Sequence, residues 1–236
     1  MIKQLRASGG LWVSSGNVKV LIDPGPGCLV RCAASRPKLD PGSLDAIIIT
    51  HRHLDHCNDV NVMIEAMTEG GFKKRGTVFC PQDALEGDPV IFKYIRHFPG
   101  RIEVLKENHE YSVGDFSFQT SMKHIHPVET YGLKFRLNKK TVGLLTDTGY
   151  FPDLKNFYKT NFLIIGVVFL KPHPDIAHLN FQDVERLAGE IKPQKTVLTH
   201  FGMSMLAARP HELAESLAVK LKQDIIAAYD GMVVVP

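Results

Sequence analysis

At 236 residues the chain is long enough to bury one substantial core and is read as a single domain spanning residues 1–236. Its 28 basic residues nearly balance 25 acidic ones, so the net charge of +3 excludes nucleic-acid binding driven by bulk charge alone. Four scattered cysteines without a Cys-x-x-Cys pair, no apolar leader after the first residues and a longest apolar run of only Phe162–Leu170 predict a reduced, cytoplasmic protein with no membrane role.

In chain order, Leu11–Ser14 and Val18–Ile22 read as two strands joined at Ser15-Gly16-Asn17. The second is stopped by Asp23-Pro24-Gly25-Pro26-Gly27, which fixes Asp23 at a strand end either as a turn-stabilising residue or as a carboxylate that orients a metal-bound His. Residues 28–43 predict loop and short helix. Cys28 and Cys32 share a helix face there, as ordinary buried residues or as two ligands of a structural metal. The apolar Ile47-Ile48-Ile49 then runs into Thr50-His51-Arg52-His53-Leu54-Asp55-His56, which places three imidazoles and a carboxylate within six consecutive residues at the end of a buried strand. Val60, Met63, Ile64 and Met67 follow a helical rhythm with Asn58 as N-cap, Asp59 as a helix-start charge and Gly70-Gly71 as terminator.

Thr77–Cys80 and Ile102–Leu105 predict short strands, with Tyr94, His97 and Phe98 between them on a packed surface helix or lining a site mouth. Tyr111–Thr120 alternates around Gly114-Asp115 as a hairpin, and residues 132–137 and 141–145 flank the turn Asn138-Lys139-Lys140. The run 162–170 predicts a strand buried on both faces. Asn180 caps a helix whose inner face is Val184, Leu187, Ala188 and Ile191, and Thr196–Thr199 is the next strand. Pro210 opens a helix with Leu213, Leu217 and Leu221 inward, and Ile225–Tyr229 is expected to pair with Met232–Val235 across Asp230-Gly231.

Several apolar strands thus end in a His or Asp: His51, Asp147 after Val142–Leu145, and His200 after Thr196–Thr199, with His126 a few residues past another strand end. His124 stands two residues from His126 and is the alternative ligand there; Thr50 and Thr199 read as strand residues, and His97, His109, His173 and His211 as surface or capping histidines.

These residues carry a family resemblance. The His-x-His-x-Asp-His spacing of 51–56 resembles the first motif of the metallo-β-lactamase-fold hydrolases, and Asp23, His126, Asp147 and His200 match the family's other motifs in order. The resemblance implies an α/β, four-layer αββα sandwich with His51, His53 and His126 on one metal, Asp55, His56 and His200 on a second, and Asp147 bridging them. Two divalent ions are implied, zinc first, with manganese or iron suiting the same ligand types. His126-Pro127-Val128-Glu129-Thr130-Tyr131-Gly132 looks like the third motif of the ribonuclease Z and phosphodiesterase branch, and His178 like that branch's late His, which assists proton transfer to the leaving group. The span between His126 and Asp147 leaves no room for the long arm of ribonuclease Z, which points to small anionic phosphodiesters or nucleic-acid ends.

Two divalent cations offset by Asp55, Asp147 and a bridging hydroxide keep a formal surplus of one positive charge, a better match for a phosphodiester than for a neutral amide. The expected activity is therefore dinuclear phosphodiester hydrolysis with the bridging hydroxide as nucleophile and with Asp55 and His178 in catalytic roles. Thioester or lactone hydrolysis, iron-dependent redox chemistry and a non-catalytic metal-binding role are the alternatives. A homodimer is compatible with the sequence.

Overall fold

The computed structural model of the protein describes residues 5–236. The chain divides into two compact units, Met1–Ser117 and Phe118–Pro236, and each carries its own core.

The N-terminal unit opens with β1 (Leu11–Ser15) and β2 (Val18–Ile22), antiparallel neighbours whose tight turn the Gly16 conformation (φ 57°) permits. After α1 (Cys28–Ala34), β3 (Ala46–Ile48), β4 (Arg75–Cys80) and β5 (Pro99–Val104) add in parallel in the order β1-β2-β3-β4-β5. Parallel pairing brings the C-terminal ends of β2 and β3 to one edge, so Asp23 and the His cluster emerge side by side. Between β3 and β4 lie α2 (Leu54–Cys57) and α3 (Val60–Met67). The inner face of α3, Val60, Met63, Ile64 and Met67, is fully buried with Leu21, Ile47 and Val78, each such side chain contributing about 1.5–3 kcal/mol.

The expected Asn58 cap is corrected here. Asn58 closes α2, its N–H bonding to the Leu54 carbonyl, while the Asp59 N–H is drawn out to the Pro24 carbonyl at 2.9 Å, which breaks the helix in two. Asp59 precedes α3 without capping it and instead accepts from the Leu29 N–H at 3.2 Å. The segment around Tyr94 is likewise turns rather than helix: Ile91 and Ile95 are buried, Tyr94 is exposed, and the Asn61 amide pins the backbone by accepting from Phe92 and donating to the Val90 carbonyl. β6 (Glu110–Val113) precedes the Gly114-Asp115 turn.

The C-terminal unit orders β7 (Phe116–Thr120), β8 (Leu133–Leu137), β9 (Lys140–Leu145), β10 (Phe162–Gly166), β11 (Lys195–Thr199) and β12 (Asp224–Ala227) as β12-β11-β10-β9-β8-β7. The four strands β9 to β12 are parallel and β7, β8 and β9 antiparallel. Asn138 and Lys139 both take positive φ in the β8–β9 turn, the condition for a two-residue hairpin. Helices α4 (Leu154–Phe157), α5 (Phe181–Ile191), α6 (Met203–Ala207) and α7 (Pro210–Leu221) complete the unit. The core joins Leu163, Ile165 and Leu198 of the sheet to Val184, Leu187 and Ala188 of α5 and to Leu217 of α7.

Two expectations fail in this unit. The apolar run 162–170 is a strand only to Gly166, because the Val168 and Phe169 N–H groups leave the ladder for the Leu179 carbonyl. The C-terminal hairpin is absent: β12 pairs in parallel with β11, and residues 232–236 form no strand. Gly231 has positive φ and Asp230 does not, so the turn lacks the two left-handed residues of type I′, and Val233 and Val235, about three-quarters exposed, find no core to hold a return strand.

Candidate metal centre

The N-terminal unit builds its donors on one hydrogen-bonded hub. Asp23, buried at the end of β2 with φ 54°, accepts from the Thr50 N–H at 2.7 Å through Oδ1 and from the Thr50 hydroxyl at 2.7 Å through Oδ2. The same Oδ2 accepts from His56 Nδ1 at 2.9 Å. Since the Thr50 hydroxyl proton goes to Asp23, its oxygen accepts from His51 Nδ1 at 3.1 Å. Both imidazoles are thereby set with Nδ1 protonated and the Nε2 lone pair available, the arrangement a metal-bound His needs.

His51 and His56 are buried, and their ring centroids lie 4.0 Å apart; His53 meets His51 edge-on at 4.9 Å. Ligand atoms of His51 and His53 fall within 4.8 Å of each other, as do those of Asp55 and His56. Arg52, between the first two histidines, turns away to an ion pair with Asp83 at 3.2 Å. The Gly25 backbone passes so close to the cluster that an added Cβ would lie 2.1 Å from the Asp55 carbonyl, which is why this turn takes glycine. Burial, with the charges of Asp23 and Asp55, pushes the Cys57 thiol up to about 12, so it stays protonated and donates to the Arg52 carbonyl.

In the C-terminal unit parallel pairing again brings strand ends together. Asp147, two residues past β9, is buried, and His200 follows β11 directly, held at φ 59°. His200 Nε2 lies 3.4 Å from Asp147 Oδ1, and His178 Nδ1 lies 3.7 Å from Asp147 Oδ2. The rings of His126 and His178 meet edge-on at 5.1 Å, and ligand atoms of His126 and Asp147 fall within 4.8 Å. His126 Nδ1 donates to the Ala177 carbonyl at 3.1 Å, which puts the ring's lone pair on Nε2.

His124 and His126 differ in their hydrogen bonding. His124 Nδ1 donates to the Asp147 carbonyl at 3.0 Å and Nε2 accepts from the Tyr158 hydroxyl at 2.9 Å, so neither nitrogen has a lone pair for a metal. Burial pushes the imidazole down to about 4 and keeps it neutral at pH 7. Of the other histidines, His97, His109, His173 and His211 are exposed. Cys28 and Cys32 are buried in the apolar core, and among the described residues no cysteine joins a group of three or more metal-type donors. Sequence reading missed Thr50 as a relay; its only signal was a hydroxyl directly beside a candidate ligand. The Ala177 carbonyl gave no signal, because backbone acceptors leave no trace in residue identity.

The donor chemistry fits a divalent cation: imidazoles, of which His51, His56 and His126 have Nδ1 bonded to an oxygen, beside the carboxylates of Asp55 and Asp147. A family model described as the β-lactamase superfamily domain matches residues 18–201. The chain belongs to that superfamily. An uncharacterized protein of Methanocaldococcus jannaschii is 29% identical over 98% of this chain and 88% of its own length. The probable metallo-hydrolase YhfI of Bacillus subtilis is 26% identical over 82% of this chain and 80% of its own. A ribonuclease Z of Thermoplasma acidophilum is 31% identical over 52% of this chain and 40% of its own. Among solved structures, YhfI superposes with a TM-score of 0.78 at 20% identity over 97% of this chain and 91% of that one. A diphosphatase of the PhnP family superposes at 0.73 with 23% identity over 96% and 83%. The fold is accordingly the α/β sandwich of the metallo-β-lactamase type, and the superfamily makes this protein a metal-dependent hydrolase.

Proposed function

We propose that this metallo-β-lactamase-fold hydrolase is a phosphodiesterase with a dinuclear centre. His51, His53 and His126 would hold one ion and Asp55, His56 and His200 the other, with Asp147 available to both, as the superfamily pattern implies. Zinc is the proposed ion. Ions bound there would supply Lewis-acid polarisation of a phosphoryl oxygen and a water acidified toward a pKa of about 7.

The chain's own residues then divide the work. Asp23 fixes the tautomer of His56 directly and of His51 through Thr50, so both ligands are oriented before an ion arrives. Asp55 contributes an anionic oxygen beside His56, 3.7 Å from its Nε2. The observation that carries the phosphodiesterase reading is His178, whose Nδ1 stands 3.7 Å from Asp147 Oδ2. An imidazolium there donates a proton to the departing oxygen, which a poor alkoxide leaving group requires and a thiolate does not. The ribonuclease Z and diphosphatase among the similar proteins support a phosphate-ester substrate. The span from His126 to Asp147 holds only β8, β9 and short connections, which suits a small diester or a nucleic-acid end better than a folded RNA.

The test is hydrolysis of bis(p-nitrophenyl) phosphate and single-stranded RNA and DNA by metal-loaded protein, beside thioester and lactone panels. Asp147→Ala and His56→Ala are each expected to abolish diester hydrolysis. His178→Ala is expected to slow diesters with poor leaving groups more than p-nitrophenyl esters, and equal slowing would remove its acid role. Cleavage of thioesters or lactones by a protein inert on every diester would overturn the reading.

A further inference from the structure

A row of rings leads outward from the C-terminal donors. The His178 ring meets Phe169 edge-on at 6.0 Å, and Phe169 in turn stacks on His173 at 5.1 Å with an interplanar angle of 27°. Phe169 is half-buried and His173 exposed, so the stack ends in a solvent-facing imidazole. Its backbone is anchored: the Phe169 N–H reaches toward the Leu179 carbonyl and the Phe169 carbonyl accepts from Phe181 at 2.9 Å, on either side of an isolated bridge to Asn180. The Pro172 and Pro174 rings flank His173 and restrict its backbone, and the His178 N–H bonds back to the Ile176 carbonyl at 2.9 Å.

Apolar surface continues the shelf. Ile176 and Ile125 are 43% and 52% exposed, although Ile125 directly precedes His126 and Ile176 stands two residues before His178. Ile125 and Ala177 border Gly149, where an added Cβ would sit in van der Waals contact, 3.6 Å from Ile125 Cγ2 and 3.7 Å from Ala177, so the two lie side by side over the glycine. A site for inorganic phosphate alone would have no use for exposed isoleucines and a stacked Phe–His pair beside its donors. A planar heterocycle attached to the phosphate would cover both.

We propose that Phe169, His173, Ile176 and Ile125 form a subsite for the nucleobase of a nucleotide diester, with His173 as the stacking face. This deepens the phosphodiesterase reading and rests on it. Base–aromatic stacking is sequence-tolerant, and removal of one aromatic face weakens base binding by about tenfold or more.

The test compares thymidine 5′-(p-nitrophenyl phosphate) with methyl p-nitrophenyl phosphate, which share a leaving group and differ in the base. In parallel, calorimetric binding of thymidine 5′-phosphate and of methyl phosphate gives a readout independent of turnover. Wild type is expected to favour the thymidine member of each pair at least about tenfold, and His173→Ala to lower that preference about tenfold, in KM rather than kcat. His173→Trp is expected to restore the preference, which a merely structural role would not do. His173 is exposed, so its variants are expected to fold, and thermal unfolding checks this. A preference unchanged in His173→Ala, or wild type turning over both diesters equally, overturns the subsite and leaves the phosphodiesterase standing. Hydrolysis of neither diester overturns both.

Discussion

At the scale of single residues, the chemistry turns on which oxygen each imidazole Nδ1 meets. Asp23 Oδ2 receives two donors, from Thr50 and His56, so an amide nitrogen placed there would face two protons and the hub would have to rearrange. Asp23→Asn is therefore expected to weaken metal binding about 10- to 100-fold without unfolding the protein, measured by competition with a chromophoric chelator. His124 and His126 separate in the same terms. His124→Ala strands the Tyr158 hydroxyl and the Asp147 carbonyl in the interior and is expected to lower unfolding free energy by about 1–3 kcal/mol in metal-free protein. His126→Ala is expected to lower metal stoichiometry by elemental analysis with a smaller effect on the metal-free fold, since its Nδ1 bond to Ala177 is only part-buried. The reverse pattern would exchange their roles.

At the scale of elements, short-range patterns translated well wherever the chain supplied its own partner. Asn180 accepts from the N–H groups of Gln182 and Asp183, and Asp183 reaches back to the Asn180 N–H at 3.1 Å, a full capping box visible as Asn-x-x-Asp before an apolar face. Asn180→Ala is expected to cost about 1 kcal/mol by denaturant unfolding. It is also expected to raise KM for a diester substrate, because the Phe181 N–H at the start of α5 bonds to the Phe169 carbonyl of the segment that leads to His178. Where an element depends on a distant partner the reading failed. The apolar run past Gly166 turned from strand to loop because its donors found Leu179, and the return strand after Asp230-Gly231 never formed because nothing covers it.

At the scale of the whole molecule, folding and metal binding are linked, since an ion bound to the native state and not to the unfolded chain stabilises by mass action. Exhaustive chelation is expected to lower the unfolding free energy by about 4 kcal/mol relative to protein at an ion concentration 1,000 times Kd, and zinc to restore it, followed by scanning calorimetry. An unchanged Tm on chelation and reloading would argue against a bound ion that contributes to the native state. No helix among the described residues is long and apolar enough to cross a membrane.

The sequence by itself determined the candidate donors and their order, because His-x-His-x-Asp-His, Asp147 and His200 each sit at or just past the end of an apolar strand, and strand ends are local signals of alternation and turn residues. Asp23 was legible for the same reason. Only the tertiary structure tied both ring nitrogens of His124 into hydrogen bonds, brought His178 within 3.7 Å of Asp147, made Thr50 a relay and stacked His173 on Phe169. Each of those depends on where a hydrogen-bond partner or a ring distant along the chain arrives, and residue identity and spacing do not encode that arrival.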